Sequence, residues 1–134
     1  MSKYQSSHLT LQKGIQIKAK LLRLFVSERI YLNDQLNLPL LAKQLQTNTK
    51  YLSQVINQHF QNNFTTFINT YRIQEFKQKL LNGHAQKLTL FGLAQECGFH
   101  NRSTFYRAFR SNTGQSPKQF LKTEAATCPN SCPS

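Results

Sequence analysis

One pattern runs twice through this chain of 134 residues. Leu41-Ala42 is followed by Leu45, then by Asn48, Leu52, Val55 and Ile56. Leu93-Ala94 is followed by Cys97, then by Asn101, Phe105, Ala108 and Phe109. The offset is 52 residues up to the Leu45/Cys97 pair and 53 from the asparagine onward, so the second copy has one extra residue in its turn. Each copy reads as a short helix, a tight turn, an Asn suited to capping, and a second helix with an apolar stripe. That arrangement asks for two small cores, each built on a helix-turn-helix, rather than one large core.

The same periodicity extends along the chain. From about Ile15 to Ile30, apolar residues fall at Ile15, Ala19, Leu22, Val26 and Ile30, with Leu21 and Phe25 widening the stripe. Lys18, Lys20, Arg23 and Arg29 decorate the polar face of that expected helix. A short helix over about 39–45 takes Pro39 in its first turn, where no donor is lost. Asn48 caps a helix over about 49–60. A long helix follows over about 65–81, with Phe67, Ile68, Tyr71, Phe76 and Leu80 expected along one side, and Asn82-Gly83 stops it. The second unit gives a helix over about 90–96 that ends at Gly98, then an Asn101-capped helix over about 102–112. Gly114 ends that helix, and Ser116-Pro117 opens a last one to about Lys122. No segment alternates with period two. The expected class is all-α, with about seven helices.

Charge points to the partner. Seventeen Lys and Arg face five acids, a net charge of +12. Such an imbalance speaks for nucleic acid first and an anionic membrane surface second. The cations are spread with no run of four or more, which argues against a polybasic membrane anchor. No stretch approaches the roughly 18 apolar residues of a membrane span, and no signal peptide is visible.

Other chemistries find little support. Cys97 sits at an apolar position of the second copy and reads as a small buried hydrophobe. Cys128 and Cys132 have no His beside them and make a poor zinc site. The lack of a disulfide framework fits a reducing, cytoplasmic setting. His8, His59, His84 and His100 show no metal-ligand spacing, and the glycines are too scattered for a phosphate loop. No Ser-His-acid set stands out, so we expect no catalysis, no metal and no cofactor.

The helical period also names the surface that would meet a groove. With Leu52, Val55 and Ile56 turned inward, Thr49, Lys50, Ser53, Gln54 and Asn57 point outward. With Phe105, Ala108 and Phe109 inward, the outward set is Arg102, Ser103, Tyr106, Arg107 and Arg110. Arg can pair with guanine O6 and N7, and Gln with adenine; Ser, Thr and Tyr can bond phosphates or base edges. Any soluble helix shows a polar outer face, so each residue alone says little. Two matched faces that both lack an acid say more.

These residues bring a family into view. Leu-Ala-Lys-Gln-Leu (41–45), Tyr-Leu-Ser-Gln-Val-Ile-Asn (51–57), Phe-Ile-Asn-Thr-Tyr-Arg-Ile (67–73), Leu-Ala-Gln-Glu-Cys-Gly-Phe (93–99), Ser-Thr-Phe-Tyr-Arg-Ala-Phe (103–109) and Thr-Gly-Gln-Ser-Pro (113–117) together resemble the DNA-binding domain of AraC-type transcription regulators. The resemblance covers about residues 15–122. It implies two helix-turn-helix subdomains joined by a long central helix, with both recognition helices in successive major grooves. The expected layout is a flexible lead-in over 1–14, read from its polar, Ser-rich start, a first subdomain over 15–63, a linker helix over 64–82, a second subdomain over 83–122, and a tail over 123–134 read as disordered from its own residues. Family base-contacting positions carry over to Lys50, Ser53 and Gln54, and to Arg102, Ser103 and Arg107.

Four residues, at three places, depart from the family pattern. Phe76 replaces a usual small Ala, Gln46 replaces a usual Gly, and Phe120-Leu121 replace a usual Tyr-Arg. The resemblance implies double-stranded DNA as partner, with RNA polymerase as a further candidate and no membrane contact by this segment. Family members usually carry a separate sensor or dimerisation domain, so a longer parent chain could hold one. The competing expectation is a helical protein-interaction module whose basic surface binds nucleic acid only non-specifically. RNA ranks lower, for want of an aromatic stacking platform.

Overall fold

The computed structural model describes residues 10–82 and 89–123. Within them the chain is helical, with no strand. We label the helices α1 (Leu11–Val26), α2 (Leu38–Gln44), α3 (Thr49–Phe60), α4 (Phe64–Leu81), α5 (Leu90–Glu96), α6 (Arg102–Thr113) and α7 (residues 117–123), with a 3-10 turn at Ile30–Leu32. None is long and apolar enough to cross a membrane. The expectations for residues 1–9, for Gly83 and for the tail with Cys128 and Cys132 fall outside the described residues.

The chain divides into two compact units, residues 1–68 and 69–134. In the first, α1 and α2 both pack on α3. Its core holds Ile17, Leu21, Phe25, Leu41, Leu45, Leu52, Val55, Ile56, Phe67 and Ile68, all at most 3% exposed. The Phe25 ring lies 5.0 Å from Phe67, which lies 4.8 Å from Phe60. Burial of such a side chain is worth about 1.5–3 kcal/mol, so these rings tie both ends of the unit's sequence to α3.

Helix α1 differs from the expectation in three ways. It starts at Leu11 rather than Ile15, because Thr10 Oγ1 accepts from the Lys13 N–H at 3.1 Å and caps it. It stops at Val26 rather than near Ile30, because Arg29 turns left-handed at φ 51°. Its buried side is Gly14, Ile17, Leu21 and Phe25, so of the expected stripe only the widening pair Leu21 and Phe25 is in the core. Ile15, Ala19 and Val26 face outward and Leu22 is half-buried. The helix carries two apolar arcs at helical spacing, and the one with the Phe ring enters the core.

The second unit is built on aromatic rings. Phe76 is fully buried, 4.8 Å from Phe105 and 5.4 Å from Phe109, and Phe109 meets Phe120 edge-on at 5.4 Å. Leu93, Ala94, Cys97 and Phe99 close this core from α5 and the turn after it. The Phe in place of a family Ala is thus absorbed as the centre of the core.

Helix α4 is no single amphipathic stripe. Asn63 Oδ1 caps it at 2.8 Å from the Thr66 N–H. Phe67 and Ile68 belong to the first core, whereas Ile73, Phe76 and Leu80 belong to the second. The expected row along one side is therefore incorrect: Tyr71 is only half-buried, and Arg72 and Glu75 are buried instead. One helix supplying two cores changes its buried face along its length.

Candidate nucleic-acid interface

Both copies close their turn in the same way. The Thr47 N–H bonds the Ala42 carbonyl at 2.9 Å, and the Phe99 N–H bonds the Ala94 carbonyl at 3.1 Å. Gln46 (φ 59°) and Gly98 (φ 105°) take the left-handed position between them. These are matched Schellman turns. The extra residue of the second copy follows the turn, between Phe99 and Asn101. After the turn, Asn48 Oδ1 accepts from the Tyr51 N–H at 2.8 Å, and Asn101 Oδ1 from the Thr104 N–H at 3.1 Å. Both sequence-predicted caps are in place. Asn37 and Thr89 cap the short helices α2 and α5 in the same manner, at 2.9 Å each.

The capped helices present the expected faces. Leu52, Val55 and Ile56 are fully buried, as are Phe105 and Phe109, with Ala108 half-buried. Outward on α3 stand Thr49, Lys50 and Asn57, exposed, with Ser53 and Gln54 half-buried. On α6, Arg102, Ser103, Tyr106, Arg107 and Arg110 are all exposed. Gln54 is less available than its position suggests, since its Oε1 is buried without a hydrogen-bond partner. Pairing with adenine uses both ends of the amide, so Gln54 must rotate outward to make it. An unsatisfied buried acceptor loses nothing by leaving.

Charge is shared between the units. Residues 1–68 hold eight Lys and Arg against two acids, and residues 69–134 hold nine against three, so each unit is net +6. Neither α3 nor α6 contains an acid. Glu96 on α5 lies 3.8 Å from Lys79, which offsets its charge. Among the described residues, no group of three or more His, Cys, Asp or Glu is placed to hold a metal ion.

Sequence reasoning missed one participant. The Arg102 guanidinium lies over the Phe91 ring, 4.9 Å from its centroid. The two residues are eleven apart across a turn, and no periodic pattern joins them.

The family model of a helix-turn-helix domain matches residues 41–123, which span both turns and both capped helices. The chain belongs to the AraC-type helix-turn-helix family. Comparison with curated proteins gives no significant match. A solved structure of a protein of unknown function from Listeria innocua is similar at 30% identity and TM-score 0.59, covering 66% of this chain and 81% of that one. The C-terminal domain of AraT, a response regulator from Geobacillus stearothermophilus, is similar at 23% identity and TM-score 0.67, covering 81% of this chain and 84% of that one. The second likeness is one of fold. An AraC-type domain is a DNA-binding module of transcription regulators, and this chain carries both of its helix-turn-helix units.

Proposed function

We propose that this AraC-type domain reads double-stranded DNA by sequence, as part of a transcription regulator. Helix α3 enters one major groove, and α6 enters the next. The observation that carries this reading is the pair of Asn-capped helices, each with an acid-free polar face opposite a buried stripe. Lys50, Ser53 and Gln54 contact bases in the first half-site, and Arg102, Ser103 and Arg107 in the second. Thr49, Asn57, Tyr106 and Arg110 fix each helix on phosphates or base edges. Contact with RNA polymerase would follow from the regulatory role. No step calls for a cofactor.

Selection from a random duplex library at about 150 mM salt tests this, because non-specific binding is weak there. The expected outcome is two enriched half-motifs about 10 bp apart. Binding at low salt with no enriched motif would refute sequence reading. It would leave a basic helical module that adheres to any duplex.

A further inference from the structure

The contact between Arg102 and Phe91 has the geometry of a prepared binding group. At 4.9 Å the guanidinium sits closer to its ring than Lys18 to Phe60, Arg72 to Phe99 or Lys77 to Phe120, each at 5.9 Å. The ring itself is anchored: Phe91 is half-buried against the second core, with its centroid 6.5 Å from Phe105. Both partners stand in the first turns of capped helices, with Thr89 holding the start of α5 and Asn101 the start of α6. Arg102 is nonetheless exposed.

The fold does not require this pair. By the repeat, the positions of Phe91 and Arg102 correspond to Pro39 and Thr49 in the first unit. That unit closes the same turn and cap with neither a ring nor a cation there. The pair is therefore an addition to the second helix-turn-helix.

We propose that Phe91 is a positioning residue that presents Arg102 to a guanine in the second half-site. A ring packed on the face of the planar guanidinium leaves the in-plane N–H donors pointing away, and we take the 4.9 Å contact to be of this kind. Two of them match guanine O6 and N7. Holding the side chain against the ring removes rotamer freedom before DNA arrives, so less is lost on binding. This inference rests on the DNA-reading proposal and adds to it the base class read by Arg102 and the residue that aims it.

The test uses the full chain and the duplex found by selection, with single base-pair changes across both half-sites. Arg102→Ala should lower discrimination at one G·C pair of the second half-site by about tenfold or more. Phe91→Leu should lower it at that same pair by about threefold. Phe91→Tyr should retain it, and the Phe91→Leu/Arg102→Ala double variant should be no worse than Arg102→Ala alone. Discrimination in the first half-site should stay unchanged in all of them. In the free protein, NMR should show the Arg102 δ-methylene and Nε–H signals moved upfield by the ring current, and returned to ordinary positions in Phe91→Leu. Normal Arg102 shifts in the unmodified protein would overturn the platform, as would equal loss at both half-sites or a loss spread over every base pair. An unmodified protein that shows the upfield shift but selects no motif would overturn DNA reading instead, so the two failures are distinguishable.

Discussion

Replacing Gln46 by glycine should stabilise the first unit. Gln46 holds φ 59°, a left-handed conformation, at the point where the second copy places Gly98. An L-residue pays about 1–2 kcal/mol there, from Cβ crowding against the carbonyl. Glycine relieves that crowding but gives the unfolded chain about 0.5–1 kcal/mol of extra freedom. The net gain is about 0.5–1 kcal/mol. The turn itself should not move, because the Gln46 N–H already bonds the Lys43 carbonyl at 3.0 Å and the Thr47 N–H the Ala42 carbonyl at 2.9 Å. The Gln46 side chain is exposed, so no packing is lost. For a unit of this size, about 1 kcal/mol corresponds to about 4–8 °C in Tm, so a rise of a few degrees should appear in thermal melting followed by far-UV circular dichroism. Gly98→Gln is the converse experiment. At φ 105° a side chain is strained further, and the loss should exceed about 1 kcal/mol. DNA affinity should be unchanged by Gln46→Gly. A lowered Tm for Gln46→Gly, or a raised one for Gly98→Gln, would refute the reasoning.

Thr47→Val should also stabilise, by about 1 kcal/mol, because the Thr47 hydroxyl is buried with no partner; an unfolding midpoint in urea below that of the unmodified chain would contradict this. Asn48→Ala and Asn101→Ala should each cost about 1 kcal/mol through loss of a cap, and unchanged melting in both would mean that the Asn side chains contribute nothing to the helix starts. Arg107→Ala should relax base preference at one position at a cost of about 1–3 kcal/mol, measured by competition among single-base variants, whereas uniform weakening would assign Arg107 to phosphate.

The helix-turn-helix pairs were legible because their burial is set locally. Leu52, Val55 and Ile56 occupy one side of a single helix, and an Asn three residues before the first capped N–H marks where it begins. Helix α1 was not legible to the same degree. Ile15, Ala19, Leu22 and Val26 satisfy helical spacing as well as Ile17, Leu21 and Phe25 do, and only the packing of Phe25 on Tyr31 and Phe67 selects between them. Helix α4 defeated the one-stripe reading because its ends belong to different cores. The outward sets of α3 and α6 followed from period alone, but the half-burial of Gln54 did not. The contact of Arg102 with the Phe91 ring joins two helices through a turn, which sequence spacing does not encode.

The extra residue between turn and cap in the second copy bears on how the two copies could be exchanged. The additional residue lies before the cap, so from Asn48 and Asn101 onward the copies run in step. Thr49, Lys50, Ser53, Gln54 and Asn57 correspond to Arg102, Ser103, Tyr106, Arg107 and Arg110 at one constant offset of 53. Their buried partners correspond at the same offset. The outward side chains can thus be transposed one for one between the helices, each set keeping its rotational phase. A segment cut through the turn cannot, because it would bring a loop of the wrong length.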